Sequence, residues 1–286
     1  MIVLRSVREL RDAVQAARAR GERVALVPTM GALHEGHLAL MRRARERCAF
    51  VVVTLFVNPT QFTESADLAR YPRDEAHDAR LTESAGVSVL FAPSVAEVYP
   101  DGFVTSVEVA ELSEPLEGIA RGTQHFRGVA TVVTKLLNMA QPDEAFFGQK
   151  DAQQALIIRR LVRDLDLPVR IEICPTVREP DGLAMSSRNA LLDAESRERA
   201  TALSRALFAV EQSVASGETS TEVALDVGRL ILGQQGIEPE YFAAVNAESL
   251  APVQTFARQT LVAIAACVGS VRLIDNVIID ATGADE

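Results

Sequence analysis

Cysteine is scarce here: three residues, Cys48, Cys174 and Cys267, in a chain of 286. They lie far apart, form no C-x-x-C, and each sits in an apolar run. A disulfide framework is excluded, and small buried thiols in a reducing compartment are expected. The first ten residues carry Arg5, Arg8 and Glu9, so no signal-peptide core is expected. No apolar run reaches about 18 residues, so no membrane partner is expected and the location is read as cytoplasmic. Excess basic charge is also missing. The formal net charge is −10, which argues against a nucleic-acid partner. Internal repeats and low-complexity segments are absent. What remains is an ordinary globular composition, 48% hydrophobic and 24% charged, long enough for two domains.

The stretch 24–40, V-A-L-V-P-T-M-G-A-L-H-E-G-H-L-A-L, organises the rest. Val24 to Val27 read as a buried strand that Pro28 stops, because proline has no N–H for a ladder bond. Gly31 and Gly36 punctuate a loop, and from Leu38 the spacing turns helical. A strand–loop–helix junction aims backbone N–H groups and the positive end of the helix dipole at one spot, which suits phosphate. His34 and His37 sit in that loop. Alone they are either capping or solvated side chains, or phosphate donors. A zinc site would need a third ligand, and the nearest thiol, Cys48, falls on the apolar helix face. With its strand, glycines and helix, His-x-Gly-His resembles the signature of the nucleotidyltransferase superfamily, which also contains class I aminoacyl-tRNA synthetases.

Periodicity predicts helices over 6–20, 74–85, 128–140, 152–165, 193–215 and 219–233. Strands are predicted over 50–57, 87–92, 104–109, 145–147 and 169–174, with three more over 240–247, 260–267 and 271–280. Residues 116–127 read as a glycine-bearing loop, and 281–286 as a frayed end. The fold class is therefore α/β. A Rossmann-like, doubly wound parallel sheet (residues 1–176) precedes a smaller C-terminal α+β lid domain of helices and a three-stranded antiparallel sheet (177–286). Ligands then belong outside the carboxyl ends of the parallel strands.

Further candidates lie in the loops at those ends. Lys150, delivered by Phe146-Phe147-Gly148, suits phosphate. Asp151 is either a helix-terminal acid or a metal contact. Of the adjacent Gln153 and Gln154, one faces the site and the other the surface. Ser186, Ser187 and Arg188 either cap and pair, Arg188 with Asp193, or hold a polyphosphate. Gln61 is either a turn amide or a ligand to a carboxylate or hydroxyl.

P-T-M-G-A-L-H-E-G-H, F-V-N-P-T-Q-F, Y-P-R, H-F-R-G-V, F-F-G-Q-K-D-x-Q-Q and V-R-E-x-D-G-L-A-M-S-S-R-N occur in this order, and L-I-D-N follows at Leu273. Together they resemble the pantothenate synthetase family, the pantoate–β-alanine ligases. The resemblance implies attack of pantoate on the α-phosphorus of ATP, then attack of β-alanine on the acyl carbon of pantoyl adenylate. Products are pyrophosphate, AMP and pantothenate; Mg²⁺ and a homodimer are also implied. It places Met30, Gly31, Ala32, Leu33, His34, Glu35, Gly36, His37, Gly148, Gln149, Lys150, Asp151, Val177, Met185, Ser186, Ser187 and Arg188 at ATP. His37 is implied as proton donor, and His34, Lys150 and Arg188 as further catalytic groups. Gln61, Gln154 and Asn58 are placed at pantoate and β-alanine, and Asp78 or Asp151 near the metal. Two departures stand out. Gln149 replaces a frequent Glu, and the 116–127 loop is one residue longer, so no role is carried over to Arg121 or His125. The rival readings are another nucleotidyltransferase, a synthetase acting on tRNA, or a nucleotide-binding module without catalysis.

Overall fold

The computed structural model describes residues 1–62, 65–257 and 259–281. They divide into two compact units, residues 1–148 with 153–175, and residues 149–152 with 176–286. The turn 149–152 thus groups with the second unit.

The first unit begins with β1 (Ile2–Leu4) and α1 (Val7–Ala19). Ser6 caps α1 reciprocally: Glu9 N–H donates to Ser6 Oγ, and Ser6 N–H donates to Glu9 Oε2 at 2.9 Å. Then follow β2 (Val24–Thr29), α2 (Glu35–Arg47), β3 (Phe50–Leu55), α3 (Ser65–Arg70), α4 (Glu75–Ser84) and β4 (Val89–Phe91). Next come α5 (Val95–Val98), α6 (Glu117–Arg121), α7 (Thr123–Ala140), β5 (Glu144–Gly148), α8 (Ala152–Asp164) and β6 (Arg170–Cys174). All six strands are parallel, in the order β1-β4-β3-β2-β5-β6. From β2 the chain builds outward through β3 on one side and from β5 on the other. The order reverses between β2 and β5, and a ligand crevice opens at such a switch point. One apolar cluster packs α1, α7 and α8 on the sheet, and another packs Met41, Ala44 and Cys48 of α2 on Ala25, Val27, Val51 and Val53. Both sheet faces are covered, which explains the near-continuous apolar strands.

The second unit holds α9 (Ala194–Ala215), α10 (Thr221–Gln234) and an antiparallel sheet of β7 (Pro239–Asn246), β8 (Thr260–Val268) and β9 (Val271–Ile279). Leu203, Leu207 and Leu232 pack on Phe242, Val262, Ile264 and Val277 in its own core.

Several expectations need correction. Pro28 lies inside β2, paired with Thr54 of β3. The β5 side is laddered only at Ala25 and Leu26, so the missing N–H of Pro28 costs no bond there. Residues 104–109 form no strand: Val104 is 92% exposed, and Val107 N–H donates to Thr131 Oγ1 of α7. The place beside β4 belongs to β1, three residues too short for alternation to reveal. Residues 116–127 are largely helical, with Gly122 (φ +78°) separating α6 from α7. Cys48 and Cys174 are buried as expected, but Cys267 is exposed near the end of β8, its thiol toward Glu240. Of the expected frayed end, 282–286 lie outside the described residues.

Candidate active site

The first cluster follows β2. Gly31 (φ +88°) and Ala32 (φ +52°) turn the chain tightly, and a Cβ at Gly31 would sit 2.8 Å from both Asp78 Oδ2 and Leu55 Cδ1. Asp78, 2% exposed on α4, holds the loop: Ala32 N–H donates to Oδ2 at 3.0 Å and Leu33 N–H to Oδ1 at 2.9 Å. Both oxygens implied for a metal thus fix backbone. The loop delivers His34 as the N-cap of α2. Gly36 N–H donates to His34 Nδ1 (3.2 Å), and His34 N–H donates to His37 Nδ1 (3.3 Å), with the ring centroids 4.2 Å apart. Both Nδ1 atoms accept from backbone, so in the neutral rings the proton is on Nε2. Each imidazole is therefore a capping group and an Nε2–H donor at a helix N-terminus, a pattern that suits phosphate oxygens.

The second cluster follows β3. Asn58 is 1% exposed and fully bonded. Its Oδ1 accepts from Thr60 N–H (3.3 Å), Thr60 Oγ1 (2.9 Å) and Tyr99 Oη (2.8 Å), while Nδ2 donates to Gly128 O (3.2 Å) and Gln61 Oε1 (2.9 Å). Burial pushes the Tyr99 phenol up, against the pull of its Thr60 hydrogen bond, which keeps it a donor. Backbone partners on both sides fix the Asn58 amide, and Asn58 in turn fixes Gln61. With Oε1 engaged, the Gln61 Nε2–H₂ donors are set for a carboxylate or hydroxyl. His125 Nδ1 lies 2.7 Å from the Gln61 carbonyl oxygen and donates to it, since a carbonyl only accepts. The residue whose role was left open thus anchors this turn. Of the two glutamines on α8, Gln153 is buried, not on the surface: it accepts from Glu117 N–H and donates to the Leu112 and Pro115 carbonyls. Gln154, half-buried beside it, is the one left for a ligand.

The second unit carries its own cluster. Gln149–Asp151 form a single 3₁₀ turn, with Lys150 Nζ 3.4 Å from Asp151 Oδ1. Residues 177–185 fold back as a hairpin in which Met185 N–H donates to Val177 O at 2.9 Å. Glu179, bonded to Asn189 and Arg197, and Asp181, paired with Arg197, brace it. The Arg197 guanidinium holds the Asp181 carboxyl below its ordinary range. Ser186 caps the following 3₁₀ turn by accepting from Arg188 N–H at 3.2 Å. Asp193, the expected partner of Arg188, is the N-cap of α9 and accepts from Ser196 N–H at 2.7 Å. Among the described residues, no group of three His, Cys, Asp or Glu is placed to hold a metal ion.

Sequence reasoning missed the anchoring roles of Asp78, Tyr99 and Gly128 and, in the second unit, of Arg178, Asp275 and Asn276. Only the last two left a signal, as polar neighbours inside the apolar run V-R-L-I-D-N-V-I-I.

Known proteins resemble this chain along nearly its whole length. The family model for pantoate-beta-alanine ligase matches residues 2–278. The pantothenate synthetase of Cereibacter sphaeroides (strain ATCC 17029) is 51% identical over 275 residues, covering 96% of this chain and 98% of that protein. The crystal structure of pantothenate synthetase from Thermus thermophilus superposes with a TM-score of 0.92 at 45% identity, covering 98% of this chain and 100% of that one. That of the Francisella tularensis pantoate-beta-alanine ligase, complexed with beta-gamma ATP and beta-alanine, gives 0.78 at 32% identity, with 97% of each chain covered. A parallel sheet with loaded loops at its switch point and a family match spanning both units lead to one assignment: the chain belongs to the pantoate–β-alanine ligase family.

Proposed function

We propose that this chain condenses (R)-pantoate with β-alanine through a pantoyl adenylate, releasing pyrophosphate and AMP. The reciprocal capping of His34 and His37 carries the reading, because it fixes two Nε2–H donors at a helix N-terminus. Pantoate carboxylate attacks the α-phosphorus and the bond to the β-phosphate oxygen breaks. Charge grows on the departing pyrophosphate, and His34, His37, Lys150 and Arg188 are the donors assigned to it, with His37 as proton donor. Met30 to His37, Gly148 to Asp151, Val177 and Met185 to Arg188 hold ATP. Gln61 and Gln154 hold pantoate, and Asn58 serves through Gln61. In the second step the neutral β-alanine amine attacks the acyl carbon, the acyl C–O bond breaks with its electron pair passing to the phosphate oxygen of AMP, and the nitrogen gives up one proton to solvent. No step requires a covalent bond to the protein.

Mg²⁺ would enter with the nucleotide substrate and neutralise part of its phosphate charge. Of the two acids implied near it, both Asp78 oxygens hold backbone, and Asp151 lies in the turn that carries Lys150. The first unit is the nucleotide- and pantoate-binding domain, and the second its lid. The resemblance supports a homodimer in the cytoplasm. The net charge of −10 speaks against nucleic acid, and no described helix is long and apolar enough to cross a membrane.

The decisive experiment is pantoate-dependent exchange of labelled pyrophosphate into ATP, with Mg²⁺ and without β-alanine. Exchange, followed by AMP release once β-alanine is added, is the expected result. His37→Ala and Lys150→Ala each lower turnover by about 10²–10³, the usual loss for a transition-state donor. Near-normal turnover in both would overturn the assignment. Binding of ATP with no pantoate-dependent product would favour a non-catalytic module.

A further inference from the structure

β9 contains two consecutive buried polar residues, Asp275 at 2% and Asn276 at 3% exposure. Neighbours on a strand point to opposite faces, so they reach different partners. Asn276 Nδ2 donates to the carbonyls of Gln149 (2.9 Å) and Lys150 (3.0 Å), and its Oδ1 accepts from Gln149 Nε2 (3.3 Å). The two carbonyls fix which way the amide points. Asp275 accepts a bidentate pair from Arg178, 2.6 Å to Oδ2 and 3.0 Å to Oδ1, and Oδ1 also takes Asn276 N–H at 2.7 Å. Arg178 goes on to Gly182 O at 3.1 Å and lies 4.9 Å over the Phe208 ring. Its residue also bridges Ala184, one position before Met185.

A buried ion pair is a poor device for stability, since apolar residues of the same size serve as well or better. A pure fold requirement at these positions would be met by Val or Ile, as at Val271, Ile274, Val277, Ile278 and Ile279 of the same strand. Yet the side-chain partners of both residues lie in the two loops that carry Lys150 and Met185–Arg188. We propose that Asp275 and Asn276 are positioning residues. They hold the Lys150 turn and the 177–185 hairpin, with the Ser186–Arg188 segment that follows it, in fixed register on one strand, so that both cationic loops meet the nucleotide phosphates together. This rests on the reading of Lys150 and Arg188 as phosphate-binding groups.

The test is a double-mutant cycle of Asn276→Ala and Lys150→Ala, read by calorimetric binding of ATP and of adenosine. Asn276→Ala weakens ATP by about tenfold, in line with one lost hydrogen-bonded placement. Adenosine binding stays within about twofold, and in the Lys150→Ala background Asn276→Ala adds less than about twofold to the ATP loss. A merely structural role weakens ATP and adenosine alike and keeps its full factor without Lys150; either result overturns the proposal. If Asn276→Ala fails to fold, Asn276→Ser, which keeps one donor, and Asp275→Asn enter the same cycle, and the same two results decide for or against. Pyrophosphate exchange by the unmodified enzyme is measured beside them. Its absence would sink the reaction assigned above, whereas the cycle reads phosphate placement from binding alone.

Discussion

Residues of one type divide here by environment. Cys174 is buried at the end of β6, and burial pushes its thiol up to about 11. Cys48 is buried under α2, and burial raises its thiol too. Cys267 is exposed; partial burial and the hydrogen bond to Glu240 raise it as well. Reactivity needs both thiolate and access. In the folded protein at neutral pH, iodoacetamide should therefore modify Cys267 alone, and slowly. Intact-mass spectrometry would show a single adduct, rising to three in denaturant. Rapid labelling of Cys48 or Cys174 in the folded state would contradict the packing of α2 and β6. The sequence placed all three thiols in apolar runs and so read them alike. It did not show that, near the end of β8, the side chain of Cys267 faces outward beside Glu240 and Arg272. The histidines after β2 were legible for the opposite reason: glycines and the change from strand to helix spacing mark their loop whatever the tertiary context. Their mutual capping was not legible, because it depends on ring orientation.

At the scale of elements, the sharpest constraint is where α7 meets the turn after β3. A Cβ on Gly128 would lie 2.4 Å from Thr60 O and 2.8 Å from Gln61 N. Side-chain atoms do not approach backbone that closely, so helix and turn must separate. Gly128→Ala should thus act in two ways. Stability falls by about 1–3 kcal/mol, the range for overpacking. The Asn58–Gly128 hydrogen bond stretches and Gln61 shifts, so KM for pantoate rises while KM for ATP, whose proposed ligands lie elsewhere, stays near normal. Steady-state kinetics with each substrate varied would show the split; equal changes in both would argue that Gly128 matters only for folding. The motif H-F-R-G-V contained this glycine, but the sequence did not say what it touches. Contacts between segments so distant in the chain are set by the crossover topology. The same limit hid β1: a strand of three residues carries too little alternation, and only the open edge of β4 gives it a place.

The whole first unit is polarised along its strands. The carboxyl ends carry the loops with His34, His37 and Gln61. At the other end Glu144 opens β5, fully buried, held by Arg47 at the end of α2 (2.7 Å) and by Arg23 just before β2 (2.6 Å). Asp143 beside it accepts from Val24 N–H at 2.7 Å. The proposed chemistry and the ionic anchoring therefore fall at opposite ends of one sheet and should be separable by mutation. The Arg47 guanidinium, with help from Arg23 and against burial, holds the Glu144 carboxyl below the usual carboxylate range. A carboxyl lowered in the folded state contributes stability above its unfolded pKa and loses it as pH falls toward the folded value. Unfolding free energy should accordingly drop as pH is lowered through the carboxylate range. Glu144→Gln should remove part of that slope and cost about 1–3 kcal/mol at neutral pH, the range for a buried partner left unmatched. Its kcat should match the parent below the melting transition, because Glu144 lies at the end of the sheet away from the loops proposed to bind substrate. Denaturant melts from neutral to acidic pH, paired with kinetics at a permissive temperature, separate the two effects. A variant with normal stability but depressed kcat would mean that the two ends of the sheet are coupled and that the polarity drawn here is wrong.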